Sequence, residues 1–453
     1  MTGSFFNPGP YACYLAVIMP MSFYYALKFR ICYKVKFHFR YLSIYLLWGI
    51  SVLTVLSSIL VLPAAMSRAA WIASVGGCGL VLLHFLYKSK KVKMFIISNR
   101  KKFALVVVGS ILLIIAGCFG AYILKKDSAD GRTFIWKNTI ELIKQNPLGV
   151  GIGNFSGSYG PIQAAYFESG KGTAEEERVA GNPEYAFNEY LQVCAEQGII
   201  VFLLFICIVG YSLYIGIKRK KIAATSSLLA LLIAAGASYP FSVLPFLIVF
   251  VFLLALIHNG EKGVEIPKPV SVMLAFGGLI IVSICLYNRY PTYDAYKKWN
   301  KVKMLYSSGN KEVAEQYRNI YPLLSDQIQF LFEYAQCLNK SEQYEESNAV
   351  LRKAVKISCD PMLYNVMGKN YQAMKQYTTA EQYFLKASFI VPNRIYPHYL
   401  MALMYVESGE TDKAKAVASM VLTKEPKLRS TAVKEMRGEA RKLLDSYKSV
   451  ELF

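Results

Sequence analysis

The sequence predicts an all-α protein. A polytopic transmembrane helical bundle of about eight spans would carry an extracytoplasmic helical loop and a C-terminal α-solenoid. Two observations predict the bundle: the chain is 54% hydrophobic with a mean hydropathy of +0.31, and its apolar residues are gathered into long runs. A third predicts the solenoid, because amphipathic segments recur with a period near 34 residues from about residue 296 onward.

The apolar runs set the predicted spans. Lipid offers the backbone no hydrogen bonds, so a spanning segment must be a helix of roughly 20 apolar residues. The run 222–257 is too long for one span and breaks at Ser238-Tyr239-Pro240, which predicts two spans there. The other runs cover 9–28, 41–64, 69–87, 103–124, 198–217 and 269–287. The predicted domains are therefore spans 1–4 in 1–124, an outer loop in 125–197, spans 5–8 in 198–288 and a soluble domain in 289–453.

The positive charge predicts the orientation. The chain has 51 Lys+Arg against 30 Asp+Glu, a formal net charge of +21. Its basic clusters at 28–40, 88–102 and 218–221 all fall on one side of the predicted membrane, and that side is cytoplasmic by the positive-inside tendency. We expect a multi-pass protein of a bacterial inner membrane, with the loop and the C-terminal domain in the periplasm. Nucleic-acid binding is not expected, because the basic clusters sit between apolar runs.

The nine cysteines predict neither a disulfide framework nor a metal site. They are scattered, mostly within apolar runs, and no CxxC or Cys/His ligand spacing occurs. We expect Cys337 and Cys359 of the C-terminal domain to be buried thiols, with a disulfide between them as the alternative, and we expect no metal site.

The C-terminal segment carries the pattern of a tetratricopeptide (TPR) array. Pro392 and Pro426 lie 34 residues apart and each follows a pair of predicted helices. Small residues in this pattern let paired helices approach closely, and proline ends the second helix. The clearest repeat consists of Tyr364, Met367, Gly368, Tyr371, Ala380, Phe384, Ala387 and Pro392. The repeat that follows it has the same pattern at Met401, Ala402, Tyr405, Ala414 and Pro426.

An ordered series of motifs covers roughly residues 1–260. It begins with Gly3-Ser4-Phe5-Phe6-Asn7-Pro8 before the first span and continues with Ser67-Arg68 at the edge of the third. The predicted outer loop supplies Gly131-Arg132-Thr133-Phe134-Ile135-Trp136 and then Asn146-Pro147-Leu148-Gly149-Val150-Gly151-Ile152-Gly153. The series closes with Phe187-Asn188-Glu189-Tyr190-Leu191-Gln192 and Glu196-Gln197-Gly198. In this order the motifs resemble the O-antigen ligase/polymerase superfamily of lipid-linked glycan transferases, some of whose members also carry a C-terminal TPR array.

The resemblance implies transfer of a glycan from an undecaprenyl-diphosphate carrier to an acceptor hydroxyl, either a lipid A core or another glycan or protein. The leaving group is a diphosphate, which a guanidinium binds in a bidentate fork. By resemblance Arg68 and Arg132 are the diphosphate ligands, Asn188 also binds substrate, and no cofactor or metal takes part. The alternative for Arg68 is a snorkelling side chain, but the small alanines at 64, 65, 69 and 70 predict close-packed surroundings rather than an exposed flank. The alternative for Arg132 is a solvated loop charge.

Two departures from the family bear on catalysis. Family members usually have several more spans upstream of the first motif, so a truncated chain is one expectation. The family's loop motif begins with a histidine proposed as catalytic, and here that position is Phe187, which cannot move a proton. The base candidates are then Glu189 and Glu184; Glu184 would share a face with Phe187 on a helix. The alternative for each is a solvated loop carboxylate.

Three classes of function follow. The first is an O-antigen-ligase-like enzyme, and a polysaccharide polymerase of the same superfamily differs from it only in the acceptor. The second is a non-catalytic membrane scaffold, which Phe187 favours. A transporter is disfavoured, because the spans hold almost no ionisable residues near their centres. The array is expected to bind a periplasmic protein or peptide. Gly149–Gly153 predicts a tight turn rather than a nucleotide loop.

Overall fold

The computed structural model describes residues 2–32, 42–89, 126–260, 267–308, 310–427 and 430–451, with single positions 98 and 120. Within these ranges the chain is helical and contains no β-strand. It divides into two compact units, which we describe separately. The membrane unit comprises Met1–Arg132, Pro147–Gly149 and Tyr185–Gly263, and the array unit comprises Thr133–Asn146, Val150–Glu184 and Val264–Phe453.

The membrane unit is built on long apolar helices. A short 3₁₀ turn at Pro240–Ser242 separates the last two of them and coincides with the predicted break at Ser238-Tyr239-Pro240. The helices are α1 (Pro8–Cys32), α2 (Leu42–Ala64), α3 (Arg68–Lys88), the beginning of α4 (Lys126–Gln145), α7 (Glu189–Lys218), α8 (Ile222–Ala235) and α9 (Leu244–His258).

Close packing of α1, α3 and α8 depends on small residues. An added Cβ at Gly77 would lie 2.4 Å from the Pro20 ring and 2.9 Å from the Ser226 carbonyl oxygen. The buried positions between these helices are largely alanines, among them Ala12, Ala16, Ala70, Ala73 and Ala230. In lipid, where burial of apolar surface between helices yields little, such close backbone approach is what drives helices to associate.

Five helices among the described residues are long and apolar enough to cross a membrane. They are Pro8–Phe29, Ser43–Ala64, Arg68–Lys88, Glu189–Lys218 and Lys268–Leu305. The two helices at 222–257 have 14 and 15 residues, shorter than this criterion requires. The predicted span at 103–124 lies outside the described residues apart from position 120, so the count of about eight stays a prediction. The chain is a multi-pass membrane protein by these helices.

Among the described residues, the array unit contains eleven further whole α-helices. Each helix from α11 to α18 packs against the next along the chain, and α12, α14, α16 and α18 also contact one another in succession. They are α5 (Phe155–Glu168), α6 (Ala174–Val179), α10 (Lys268–Val302), α11 (Lys311–Leu324), α12 (Ile328–Lys340), α13 (Tyr344–Ile357), α14 (Pro361–Ala373), α15 (Tyr377–Ile390), α16 (Tyr396–Glu407), α17 (Thr411–Thr423) and α18 (Thr431–Glu451). The first two belong to the loop segment.

The repeat residues meet inside this succession of helices. An added Cβ at Gly368 would lie 2.4 Å from the Phe384 ring, so glycine lets α14 lie directly on α15. Ala380, Phe384, Met401 and Tyr405 are all buried in one cluster. The small and aromatic positions therefore pack as helix pairs require, while assignment to the TPR class stays a prediction.

The loop segment that precedes α7 packs on the array within this unit. Helix α5 contacts α13 and α15. Two glycines of α5 permit this close approach. A Cβ added at Gly157 would lie 2.0 Å from the Lys356 carbonyl oxygen, and one added at Gly160 would lie 2.5 Å from Cys359 Cβ. The Cys359 backbone N–H donates to Ser156 Oγ at 3.2 Å. The array thus already holds a segment of its own chain.

A second set of hydrogen bonds holds residues 177–181, at the end of α6 and just after it. Asn393 Nδ2 donates to the carbonyl oxygens of Glu177 (3.0 Å) and Ala180 (2.8 Å). The fully buried Gln163 donates to the carbonyl oxygens of Gly181 and Ile390. These side-chain amides satisfy backbone groups of a segment that forms no regular structure after α6.

Candidate functional site

Arg68 opens helix α3 at the edge of the membrane unit. The turn Ala65-Met66-Ser67 joins α2 to α3 with Met66 in the left-handed region (φ 48°), and the Trp71 indole N–H donates to the Leu62 carbonyl at 2.8 Å across it. Arg68 itself is half-buried. Ala65, Ala69 and Ala70 are buried around it, as predicted, whereas Ala64 is exposed.

Arg132 comes from the first turns of α4 and is the other arginine of the site. Its Nη1 donates to the Ala237 carbonyl oxygen at 2.5 Å, and its guanidinium lies 5.3 Å from the centre of the Phe187 ring. Burial lowers the pKa of Arg132 from its usual range, and the neighbouring positive charge of Arg68 lowers it further. The two guanidinium groups, 64 positions apart in the sequence, therefore lie within electrostatic range of each other.

A short polar layer connects the elements beneath the two arginines. The Cys13 thiol of α1 interacts electrostatically with Ser238 and with Ser67, the residue before Arg68. Ser238 belongs to the break between α8 and α9, next to the Ala237 carbonyl that receives Arg132. Three separate stretches of chain are thus brought to one place.

Aromatic side chains border Arg132. The Tyr185 and Tyr239 rings stack with centroids 4.7 Å apart and an interplanar angle of 10°, and Phe187 meets Tyr239 edge-on at 5.4 Å. Tyr239 also interacts electrostatically with Arg132. In the sequence, Tyr239 marks only a break between spans and no motif includes Tyr185, so neither tyrosine could be assigned to the site from the sequence.

Phe187 has an unusual backbone conformation. Its φ is +53°, in the left-handed region that side chains other than glycine, asparagine, aspartate and histidine seldom adopt. Its ring contacts both the Arg132 guanidinium and Tyr239, so the residue that stands where the resemblance implies a histidine lies next to Arg132.

Asn188 and Glu189 begin helix α7. Asn188 Oδ1 accepts hydrogen bonds from the backbone N–H groups of Tyr190 (3.0 Å) and Leu191 (3.3 Å), which makes it the N-cap. Glu189 is 3% exposed, and its Oε1 accepts the Phe241 backbone N–H at 2.6 Å. Glu189 thereby ties the start of α7 to the break between α8 and α9, the same break that carries Ala237.

Glu184 falls in the other unit. Its side chain is exposed, and the segment 180–188 is not helical, so the helical spacing that would pair Glu184 with Phe187 does not form. Its carboxylate lies near Cys359, where burial first and then the charges of Asp360 and Glu184 raise the pKa of the thiol to about 12. Arg68, Arg132, Asn188 and Glu189 belong to the membrane unit.

The glycine motifs interlock within the membrane unit. Helix α7 is kinked at Gly198 (φ 87°), and the Ile199 N–H donates to the Pro147 carbonyl at 3.0 Å. An added Cβ at Gly198 would lie 2.6 Å from the Leu148 carbonyl carbon, and one at Gly149 (φ 87°) would lie 2.5 Å from the Glu196 carbonyl oxygen. The turn at Gly149 therefore packs directly against the backbone of the Glu196-Gln197-Gly198 motif. This contact was not predicted from the sequence.

The site is polar, cationic and aromatic. In the part of the chain that the structure describes, no group of three His, Cys, Asp or Glu side chains is arranged to hold a metal ion. Two arginines within electrostatic range of each other, one of them bordered by aromatic rings, can bind an anion that carries several oxygens, since guanidinium groups form bidentate bonds to such groups.

Comparison with known proteins gives one match. A family model described as O-antigen ligase matches residues 53–206, a stretch that contains Arg68, Arg132, Phe187 and Glu189. The match supports a member of the O-antigen ligase/polymerase superfamily. No curated protein matches the chain. No solved structure matches it either.

Proposed function

We propose that the protein transfers a glycan from an undecaprenyl-diphosphate carrier to an acceptor hydroxyl at the outer face of the inner membrane. The observation that carries this proposal is that Arg68 and Arg132 lie within electrostatic range of each other. Two like charges that are close together and partly removed from water repel each other, and a bound diphosphate would neutralise both. The family match over residues 53–206 supports the same chemistry.

The leaving group fixes the role proposed for the arginines. As the bond between sugar and diphosphate breaks, negative charge develops on the phosphate oxygens. A guanidinium already held in place stabilises that charge without rearranging. Arg132 meets this condition because Ala237 and Phe187 fix its position, and the bond to Ala237 leaves further N–H donors of the fork for phosphate.

The acceptor hydroxyl has to lose its proton. Of the two base candidates, Glu189 lies in the same unit as the arginines. Its buried carboxylate accepts the Phe241 N–H, so we assign it the role of positioning the segment between α8 and α9 rather than that of the base. Glu184 stays a candidate that would have to reach the acceptor from the array unit. The stacked Tyr185 and Tyr239 rings offer a flat apolar face beside Arg132 of the kind that packs against sugar rings.

The topology and the array complete the proposal. With the basic clusters in the cytoplasm, the loop 125–197 and the TPR-like domain 289–453 lie in the periplasm. There the array would hold the loop through α5 and could also bind a periplasmic protein. Protease added to spheroplasts should cut the array while the segment 218–221 stays protected.

The test is product formation by the full chain in membranes. Lipid-linked donor is supplied with either a lipid A core or a second lipid-linked donor. Product on the lipid A core indicates a ligase, and product on the second donor indicates a polymerase. Arg68→Ala and Arg132→Ala should each abolish transfer, while Arg178→Ala, an exposed arginine of the array unit, should leave it unchanged. Unaltered transfer in both site variants would refute the proposal.

A non-catalytic scaffold is the second candidate, and Phe187 in the histidine position favours it. The scaffold predicts no product with either acceptor from the unaltered protein. Phe187→His separates the two readings, since histidine tolerates the left-handed backbone better than phenylalanine. If Phe187→His transfers more glycan than the unaltered protein, the protein is an enzyme that Phe187 weakens. If neither protein transfers glycan, the scaffold is the function that remains.

A further inference from the structure

A second cationic site lies in the membrane unit, far along α1 from the two arginines. It is a cavity of about 210 Å³ whose lining includes Lys28, Lys220, Lys221, Tyr24 and Tyr25. Cys13, in the polar layer beneath Arg132, and Lys28 are 15 residues apart on the same helix, which corresponds to about 22 Å at 1.5 Å per residue. The cavity is therefore separate from the site proposed for the diphosphate.

The lining of this cavity combines basic side chains with apolar ones. Three ammonium groups come from two distant parts of the sequence, and no carboxylate is among the described residues that line it. Lys28 Nζ lies 5.8 Å from the Tyr24 ring and 6.0 Å from the Tyr25 ring, a geometry that holds the cation against the aromatic wall. The apolar lining residues are Met21, Ile222, Ala223, Ala224 and Leu256.

The backbone of the α7–α8 turn makes one of these lysines unusual. Lys221 N–H donates to the Gly216 carbonyl and Lys220 N–H to the Ile217 carbonyl, and Lys220 has φ +57°. This is a helix-ending turn whose left-handed position normally takes glycine. A lysine there costs backbone strain that glycine would avoid, and such strain is characteristic of functional positions.

We propose that this cavity binds the phosphate headgroup of an anionic phospholipid. Clustered ammonium groups recognise phosphate, and the apolar wall suits the first carbons of the glycerol and acyl chains. The surrounding helix surface is lipid-facing in character, since Tyr214 and Ile217 beside the turn are 57% and 53% exposed. A free phosphate ion would leave the apolar wall without a partner, which favours the lipid as the source of the phosphate.

The test is lipid binding by the purified full chain in detergent. Phosphatidylglycerol is titrated and bound lipid is read by native mass spectrometry, with phosphatidylcholine and inorganic phosphate as comparison ligands. Lys28→Gln/Lys221→Gln should weaken phosphatidylglycerol binding about 25-fold, taking about fivefold for each lysine. The matched control, Lys88→Gln/Lys218→Gln, removes two lysines outside the cavity lining and should change binding by less than about fivefold.

A third variant separates binding from folding. Lys220→Gly removes one cation and relieves the left-handed backbone, so its melting temperature should equal or exceed that of the unaltered protein while lipid binding falls about fivefold. Equal losses in the two double variants would overturn the proposal. So would phosphatidylcholine binding as tightly as phosphatidylglycerol, or inorganic phosphate displacing the lipid at equal concentration.

Discussion

The contact between α5 and the array can be tested with one methyl group. In Gly157→Ala the new Cβ would lie 2.0 Å from the Lys356 carbonyl oxygen, 2.2 Å from its carbonyl carbon and 2.8 Å from the Ile357 nitrogen. All three are backbone atoms of α13 and cannot rotate away. The helices must separate by about 1 Å before the methyl reaches even a tight 3.0 Å contact.

The magnitude follows from three opposing effects. Overpacking costs ~1–3 kcal/mol. Loss of the Cys359 N–H to Ser156 Oγ hydrogen bond adds ~1 kcal/mol. Alanine in place of glycine within a helix returns ~1 kcal/mol. The net loss of stability is ~1–3 kcal/mol, and a central value of ~2 kcal/mol lowers the melting temperature of a unit of this size by about 4–8 °C.

The assay is amide hydrogen exchange and thermal unfolding of the full chain. Gly157→Ala should speed exchange in Phe155–Glu168 and lower the melting transition of the array unit. Gly181→Ala is the control: this glycine lies in the same unit, has nothing within 4 Å of an added Cβ and does not require a positive φ. Equal exchange and melting in the two variants would show that α5 does not pack on the array.

Three further predictions concern other residues. Gly198→Ala should prevent the kink in α7 and reduce the yield of folded protein, whereas Gly210→Ala in the same helix, where an added Cβ meets nothing within 4 Å, should not; size-exclusion profiles in detergent compare them. Burial and then the Lys424 charge lower the pKa of His398 to about 4, so the unfolded chain takes up the proton first, and array stability should fall by up to ~3 kcal/mol from pH 7 to pH 4. His398→Leu should remove that slope in melting curves. Glu189→Gln keeps an oxygen for the Phe241 N–H, so a positioning role predicts transfer within about tenfold of the unaltered protein, and a base predicts a loss of roughly 100-fold or more.

The helical elements could be predicted from the sequence because lipid and solenoid packing impose simple patterns. The run 69–87 becomes Arg68–Lys88 and the run 41–64 becomes Leu42–Ala64, since apolar length alone decides such helices. The start of α7 was harder to predict. Its apolar run begins at 198, but the helix begins at Glu189, because Asn188 caps it and Gly198 kinks it without ending it.

The site could be predicted only in part. Resemblance of motifs named Arg68 and Arg132 as members of one site, and the structure places them within electrostatic range of each other. The contacts of the Ala237 carbonyl and the Tyr185–Tyr239 stack could not be predicted, because they depend on how the segment between α8 and α9 is placed against α4. The same applies to Glu184, whose predicted neighbourhood assumed a helix that residues 180–188 do not form.

The central claim is that paired guanidinium groups bind a polyprenyl-linked diphosphate, and binding of undecaprenyl diphosphate to the purified chain tests it most directly. Arg132→Gln should weaken that binding about 10- to 150-fold, the range expected for one charge-assisted hydrogen bond. Arg178→Gln should leave it unchanged. If Arg132→Gln binds undecaprenyl diphosphate as tightly as the unaltered protein does, Arg132 is not a diphosphate ligand and the proposed glycan transfer loses its basis.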